Sequence, residues 1–234
     1  MKYKAVIFDL GGTLICSISL QEYRRMLTQM ASVLSISPDA FVQLWFETAD
    51  ERMKGIVKNY RDNIEYICRQ VGVPVEDAKI ELATQIRFDL VRSQLLVPRA
   101  DAMEVLSSLK SEGYKVGLIS DCSYEATLVW KSTPFPSLID VTVFSCLVGL
   151  TKPDPRIYQI AMEQLEVEPH TCLYIGDGGS QELTGASQIG MTPFLLRIPD
   201  DGSMNVYRGT DVEVDTWHGP VVSSLKEVLA LLKE

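Results

Sequence analysis

Five short apolar runs, each breaking on or beside a polar residue, constrain this chain more than any other feature. The first, Ala5-Val-Ile-Phe8, stops at Asp9 and is followed by Gly11 and Gly12. The others are Lys115–Asp121, Asp140–Ser145, Cys172–Ile175 with Gly176-Asp177 behind it, and Thr192–Ile198. Runs of this length bounded by turn residues read as strands. Between them, helical spacing predicts helices over Ala102–Leu109, Glu125–Trp130, Arg156–Leu165 and from Glu182 towards Ile189, with Gly190 as a C-cap. Strands alternating with helices specify an α/β fold, a doubly wound, Rossmann-like parallel sheet with right-handed crossovers. Beyond the fifth strand, Asp200–Asp215 reads as an exposed polar loop and Ser223–Leu232 as a closing amphipathic helix.

The stretch from about Leu20 to Leu96 breaks this alternation. Tyr23-Met26-Leu27-Met30, Phe41-Leu44-Trp45, Ile64-Ile67-Cys68-Val71 and Ile80-Leu82-Ile86-Leu90 each repeat at helical spacing, predicting about four helices. Ser37-Pro38-Asp39 reads as an N-cap with proline at the first helical position, and Gly72 and Pro74 mark a later boundary. The expectation is a helical insertion over 16–98 with its own small core, set into an α/β core of 1–15 and 99–234.

In an open parallel sheet, ligands bind at the carboxyl ends of the strands. Asp9, Ser120, Lys152 and Asp177 all fall there, with Glu182 one helical turn beyond Asp177. Carboxylates crowded in a partly desolvated crevice shift pKa or bind a cation, and an all-oxygen donor set suits magnesium. Lys152 supplies a fixed positive charge and Ser120 a donor, so an anion pocket lies beside an exposed carboxylate. Covalent phosphoryl transfer through an aspartyl-phosphate needs that arrangement. A net charge of -9 over 234 residues argues against nucleic acid or an anionic membrane as partner. Five scattered cysteines without metal-ligand spacing fit a reducing compartment. The first apolar run is too short for a secretory segment, and no stretch approaches a membrane span. A soluble, cytoplasmic protein acting on a small ligand is expected; oligomeric state carries no sequence signal.

These residues resemble the haloacid dehalogenase-like hydrolases, mostly magnesium-dependent phosphatases. Phe8-Asp9-Leu-Gly-Gly-Thr13-Leu matches the first motif, Leu118-Ile-Ser120 the second, Lys152-Pro-Asp-Pro the third, and Gly176-Asp177 with Glu182 the fourth, in the family's order and spacing. The helical insertion resembles that family's cap domain. The resemblance implies Asp9 as nucleophile and metal ligand, the Gly11 carbonyl as a second ligand, and Asp177 as a third with Glu182 supporting it. It implies Thr13 and Ser120 as phosphoryl-binding groups, joined by Lys152 as the charge-neutralising one. Asp121, at a strand end, is a candidate substrate-binding or metal contact, with a solvated carboxylate as the alternative. The implied substrate is a small phosphorylated metabolite.

Gly11 departs from the pattern, because family phosphatases carry there an aspartate that acts as general acid and base. Such a group is worth about 10²–10⁴ in rate, so an impaired or specialised phosphatase is expected, with Glu47, Asp50 or Glu51 of the insertion as candidate replacements. Two other readings compete. A non-catalytic module binding a phospho-ligand or protein would explain Gly11. A 2-haloacid dehalogenase would share Asp9, Thr13, Ser120, Lys152 and Tyr158. Against the dehalogenase, those enzymes carry tyrosine at position 11 and asparagine at position 121, and lack the Gly176-Asp177 pair. Cys16 and Cys122 are expected to be unreactive, His170 and His218 to lie away from the chemistry, and Trp45 and Phe46 to belong to the core of the insertion.

Overall fold

The computed structural model describes residues 2–198 and 212–233. After the first strand, β1 (Ala5–Phe8), come five helices: α1 (Leu20–Leu34), α2 (Pro38–Glu47), α3 (Ala49–Met53), α4 (Tyr60–Gln70) and α5 (Asp77–Leu95). Alternation then begins with α6 (Ala102–Ser111), β2 (Lys115–Ser120), α7 (Tyr124–Trp130), β3 (Val141–Phe144) and the short α8 (Ser145–Val148). It continues through α9 (Pro155–Leu165), β4 (Cys172–Gly176), α10 (Glu182–Gln188) and β5 (Thr192–Leu196), and closes with β6 (Val221–Val222) and α11 (Lys226–Leu231).

All the strand pairs are parallel, in the order β3-β2-β1-β4-β5-β6. From β1 the chain builds outward through β2 and β3, then crosses back to β4 and continues the other way. The reversal therefore lies between β1 and β4, where Ala5 pairs with both Lys115 and Cys172. Period-2 alternation sends Val6, Phe8, Leu118, Leu173 and Ile175 into a large apolar cluster on one face. Ala5, Ile7, Ile119, Cys172 and Tyr174 enter a second cluster against α9 and α10 on the other. Burial on both faces is why these strands read as continuous apolar runs.

Helices α1–α5 pack mainly on one another, with α5 also against α7. Pro38 opens α2 at the first helical position as expected, with Ser37 at the N-cap, although the Ser37 side chain makes no cap hydrogen bond. Two caps the sequence reading did not name start other helices: Ser19 Oγ accepts Glu22 N at 3.1 Å ahead of α1, and Asn59 Oδ1 accepts Asp62 N at 2.8 Å ahead of α4. Their buried side chains, including Trp45, Tyr60, Ile64 and Ile80, are continuous with the large cluster under the sheet. Trp45 is fully buried and donates from Nε1 to the Tyr23 hydroxyl at 2.9 Å.

Several boundaries differ from the sequence reading. Beyond the four periodic helices there is the short α3, and Ser145 starts α8 instead of ending β3. β6, two residues long, has too little alternation to be legible. The last helix begins at Lys226, because Ser223 N is bonded to Glu227 Oε2 at 3.2 Å and Leu225 N to Asp101 Oδ2 at 3.0 Å. Most of the expected Asp200–Asp215 loop lies outside the described residues. Within its described part the expectation of exposure is corrected at Glu213, which is buried against the start of α10.

Candidate active site

The reversal between β1 and β4 places Asp9 and Asp177 on neighbouring strand ends, with Ser120 ending β2 on the other side of Asp9. Lys152 reaches them from the loop between α8 and α9. Its Nζ donates to Asp9 Oδ1 and to Glu182 Oε2, each at 2.6 Å, joining residues 143 and 30 positions away. Asp9, Lys152 and Asp177 are buried and Glu182 is completely so.

Glu182 is held from every side: Tyr174 OH donates to Oε2 at 2.8 Å and Gly178 N to Oε1 at 3.0 Å. All these contacts are donors, as an ionised carboxylate requires. Burial pushes the other way, raising its pKa to about 8 against the pull of Lys152. Burial also opposes the Lys152 charge, but Asp9 and then Glu182 outweigh it, and its pKa lies well above the ordinary lysine value. Asp121 Oδ1 accepts Lys152 N at 3.1 Å, anchoring the backbone of the lysine loop, and burial raises the Asp121 pKa. Oxygens of Asp9, Asp177 and Glu182 lie within 4.8 Å of one another. Oxygen donors this close are the set a hard divalent cation prefers.

Asp9, Gly11, Ser120, Asp121, Lys152 and Asp177 all line one cavity of about 230 Å³. Thr13 and Glu182 are not in its wall. Thr13 is fully buried and donates to Asp9 Oδ2 at 3.3 Å, and Glu182 stands behind Lys152. The two glycines of the first motif differ. At Gly12 the backbone φ is +79°, and a Cβ would sit 2.2 Å from Asp177 Oδ2, so only glycine lets the carboxylate approach. At Gly11 a Cβ would meet nothing within 4 Å.

A family model for haloacid dehalogenase-like hydrolases matches residues 3–190. The chain belongs to that family. Among curated relatives of this hydrolase, the glyceraldehyde 3-phosphate phosphatase of Methanopyrus kandleri is 26% identical over 198 residues, 83% of this chain and 84% of that protein. The crystal structure of an HAD phosphatase from Thermococcus onnurineus superposes with a TM-score of 0.64 at 22% identity, over 98% of this chain and 97% of that one. An HAD family enzyme from Bacteroides thetaiotaomicron, solved with magnesium and inorganic phosphate, superposes with a TM-score of 0.63 at 19% identity, over 86% and 98%. These structural likenesses establish the fold.

The helical segment of this hydrolase contributes different side chains to the cavity from those the sequence suggested. Glu47, Asp50 and Glu51 do not line it: Glu47 accepts from Gln43 and Asp50 pairs with Lys54 on the surface. Tyr23, Arg52, Arg87 and Gln94 line it instead. Cys16 and Cys122 also line it, and the Cys122 thiol is pushed well above its ordinary pKa by the neighbouring Cys146 thiol and by burial. His170 lies in the turn before β4, at the far edge of the sheet, and His218 is exposed.

Further contributors were given no role at this site by the sequence, where Tyr158 stood out only as a residue shared with the dehalogenases. Arg99 donates to Gly12 O at 2.8 Å and Thr13 O at 3.1 Å, clamping the turn after β1 from 87 and 86 residues away. Tyr158 OH donates to Glu182 O at 2.9 Å. Glu213 accepts from Leu183 N, and from Thr184 N at 3.2 Å, so it caps the helix that carries Glu182. Tyr174, mid-strand in β4 and two residues before the Gly-Asp pair, carried no signal of its role either.

Proposed function

We propose that this hydrolase cleaves a small phosphate monoester through an aspartyl-phosphate at Asp9, with residues 16–98 acting as a cap over the site. The observation that carries this reading is the Asp9 carboxylate in the cavity wall, held by the Lys152 ammonium at 2.6 Å and close to Asp177. An Asp9 oxygen attacks phosphorus and the ester P–O bond breaks, and the departing alkoxide takes a proton from solvent water. A second water then attacks phosphorus and gives up its proton to solvent as the Asp9–phosphorus bond breaks, releasing inorganic phosphate and restoring the Asp9 carboxylate. Ser120 and Lys152 bind and orient the phosphoryl oxygens. Asp121 fixes the lysine loop, and Thr13 holds the nucleophile's other oxygen.

The donor set fits magnesium, with Asp9 and Asp177 as side-chain ligands and, as the family resemblance implies, the carbonyl of Gly11 in the cavity wall as a third. Glu182, its oxygens already receiving Lys152, Tyr174 and Gly178, acts mainly by holding Lys152 and supporting the metal site from behind. When bound, the cation polarises the phosphoryl group and screens it from the carboxylates. Gly11 leaves the leaving group without an acid from that position, so esters of acidic alcohols are turned over best.

Release of phosphate from a panel of phosphate esters, with and without magnesium, tests this reading. Turnover that requires magnesium and disappears in Asp9→Asn is expected. Metal-independent halide release from 2-haloacids would replace it with the dehalogenase reading. Tight ligand binding without turnover would replace it with a non-catalytic binding module.

A further inference from the structure

Two thiols meet behind the phosphoryl-binding end of the cavity. Parallel pairing of β2 with β3 sets Ser120 opposite Phe144, so the residues two beyond each, Cys122 and Cys146, leave the sheet side by side. Ser145 ties the two segments together, its Oγ accepting Cys122 N at 2.9 Å and donating to Cys122 O at 3.3 Å. The thiols themselves are hydrogen-bonded, Cys122 Sγ donating to Cys146 Sγ, and both are reduced. That bond holds the Cys146 thiol below its ordinary pKa although burial opposes it. Read alone, Cys122 is a small half-buried thiol. Cys146 gives it a partner.

The pair is placed where a covalent link would be felt. Cys122 lines the cavity and directly follows Ser120, which faces the phosphoryl group, and Asp121, which accepts Lys152 N at 3.1 Å. Closing from hydrogen-bond contact to an S–S length of about 2.05 Å draws the Cys122 side chain out of the cavity wall towards α8 and pulls the backbone of residues 120–122 with it. Access is available from the same side. Cys122 opens on the cavity and Cys146 keeps 8% of its surface exposed, so a molecule little larger than water reaches both.

We propose that Cys122 and Cys146 form a redox modification site, in which a peroxide joins them in a disulfide that lowers turnover at Asp9 until a dithiol reduces it. The Cys146 sulfur, as thiolate, attacks one peroxide oxygen and the O–O bond breaks. The departing hydroxide takes the proton that Cys146 gave up and leaves as water. Cys122 sulfur then attacks the sulfenic sulfur, the S–S bond forms, the S–O bond breaks, and the hydroxyl leaves with the Cys122 proton as a second water. Two thiols are oxidised and one peroxide is reduced. A dithiol reverses this by exchange, ending as its own disulfide. The inference rests on the phosphatase reading for its activity readout only, because the disulfide is detected without it.

The magnesium-loaded protein is treated with excess hydrogen peroxide, alkylated under denaturing conditions, digested and mapped by mass spectrometry without reduction, in parallel with phosphate release from p-nitrophenyl phosphate. A linked Cys122–Cys146 peptide pair is expected, two hydrogens lighter than the separate peptides. With it kcat/KM should fall about tenfold to a hundredfold, as a small displacement of positioning groups gives, and dithiothreitol should reverse both changes. Cys146→Ala should match the unmodified protein before treatment and lose less than about twofold after it. Alkylation of both cysteines after peroxide, a Cys16–Cys122 link in place of theirs, unchanged kcat/KM in the linked protein, or equal peroxide sensitivity in Cys146→Ala overturns the proposal. If Cys146→Ala does not fold, Cys146→Ser replaces it. If the reduced protein releases no phosphate, the phosphatase reading fails by itself, and calorimetry with inorganic phosphate at fixed magnesium takes over. The linked protein should then bind at least about tenfold more weakly than the reduced one, and equal affinities overturn the proposal.

Discussion

Adjacent glycines in the first motif should respond to substitution in opposite ways. Gly11→Asp introduces a carboxylate where a Cβ meets nothing within 4 Å, in the wall of the cavity that holds Asp9. A well-placed general acid or base contributes about 10²–10⁴ in rate. Gly11 is exposed, so nothing packs around the new side chain to fix its rotamer, and the gain falls at or below the lower end of that range. The expected gain is about tenfold to a hundredfold in kcat/KM, or about 1.4–2.7 kcal/mol of barrier. It should appear with alkyl phosphates, whose leaving alcohols need a proton, and be small with p-nitrophenyl phosphate, whose leaving group does not. Steady-state kinetics of both esters at saturating magnesium measure it. An unchanged rate for alkyl phosphates in a folded Gly11→Asp protein would refute the account of position 11 as a missing proton-transfer group. Gly12→Ala supplies the contrast. Its Cβ lands 2.2 Å from Asp177 Oδ2 at a φ of +79°, so it should weaken magnesium-dependent turnover and destabilise the fold by roughly 1–3 kcal/mol.

Lys152→Met leaves the Asp9 and Glu182 carboxylates buried without the cation between them. Breaking such a pair costs about 3–5 kcal/mol, and melting in the presence of a chelator should fall by roughly 6–20 °C, with partial recovery in Lys152→Met/Glu182→Met. Glu213→Ala removes the acceptor for Leu183 N and Thr184 N and should lower stability by about 1–3 kcal/mol in urea titrations, with Glu213→Gln losing less. Asp140 is exposed; what burial its carboxyl has raises its pKa, but the bonds from Lys110 and Val116 N overcome this and leave it below the ordinary value. A depressed carboxylate stabilises the fold above its unfolded pKa, and that contribution is lost as pH falls through the folded value. Asp140→Asn should therefore cost about 1 kcal/mol near pH 7, and the difference should close below about pH 3, as urea melts at the two pH values would show.

The α/β class, the strand ends and the convergence of Asp9, Ser120, Lys152 and Asp177 were legible in the sequence because their causes are local. An apolar run that stops at Asp9 or at Gly176-Asp177 is both a strand and its ligand-side terminus, and parallel alternation then requires those termini to share one edge. What surrounds them was decided by tertiary packing. The docking of α3 sends Arg52 into the cavity while Asp50 stays on the surface, although the three positions Asp50, Glu51 and Arg52 are consecutive. In five residues there is no periodicity to say which face will be buried. The grip of Arg99 on Gly12 and Thr13, and of Glu213 on the start of α10, joins positions about 87 and 30 residues apart through a few side-chain hydrogen bonds that leave no pattern in either partner's neighbourhood. Glu182 shows the same division: its place after the Gly-Asp pair was readable, but only the fold brought Lys152, Tyr174 and Gly178 N to its two oxygens. The sequence alone determined which edge carries the chemistry, because strand polarity is written in short-range hydrophobic order. Which side chains complete that edge was settled only by the tertiary structure, because helix rotation and long-range pairing depend on the packing of the whole chain.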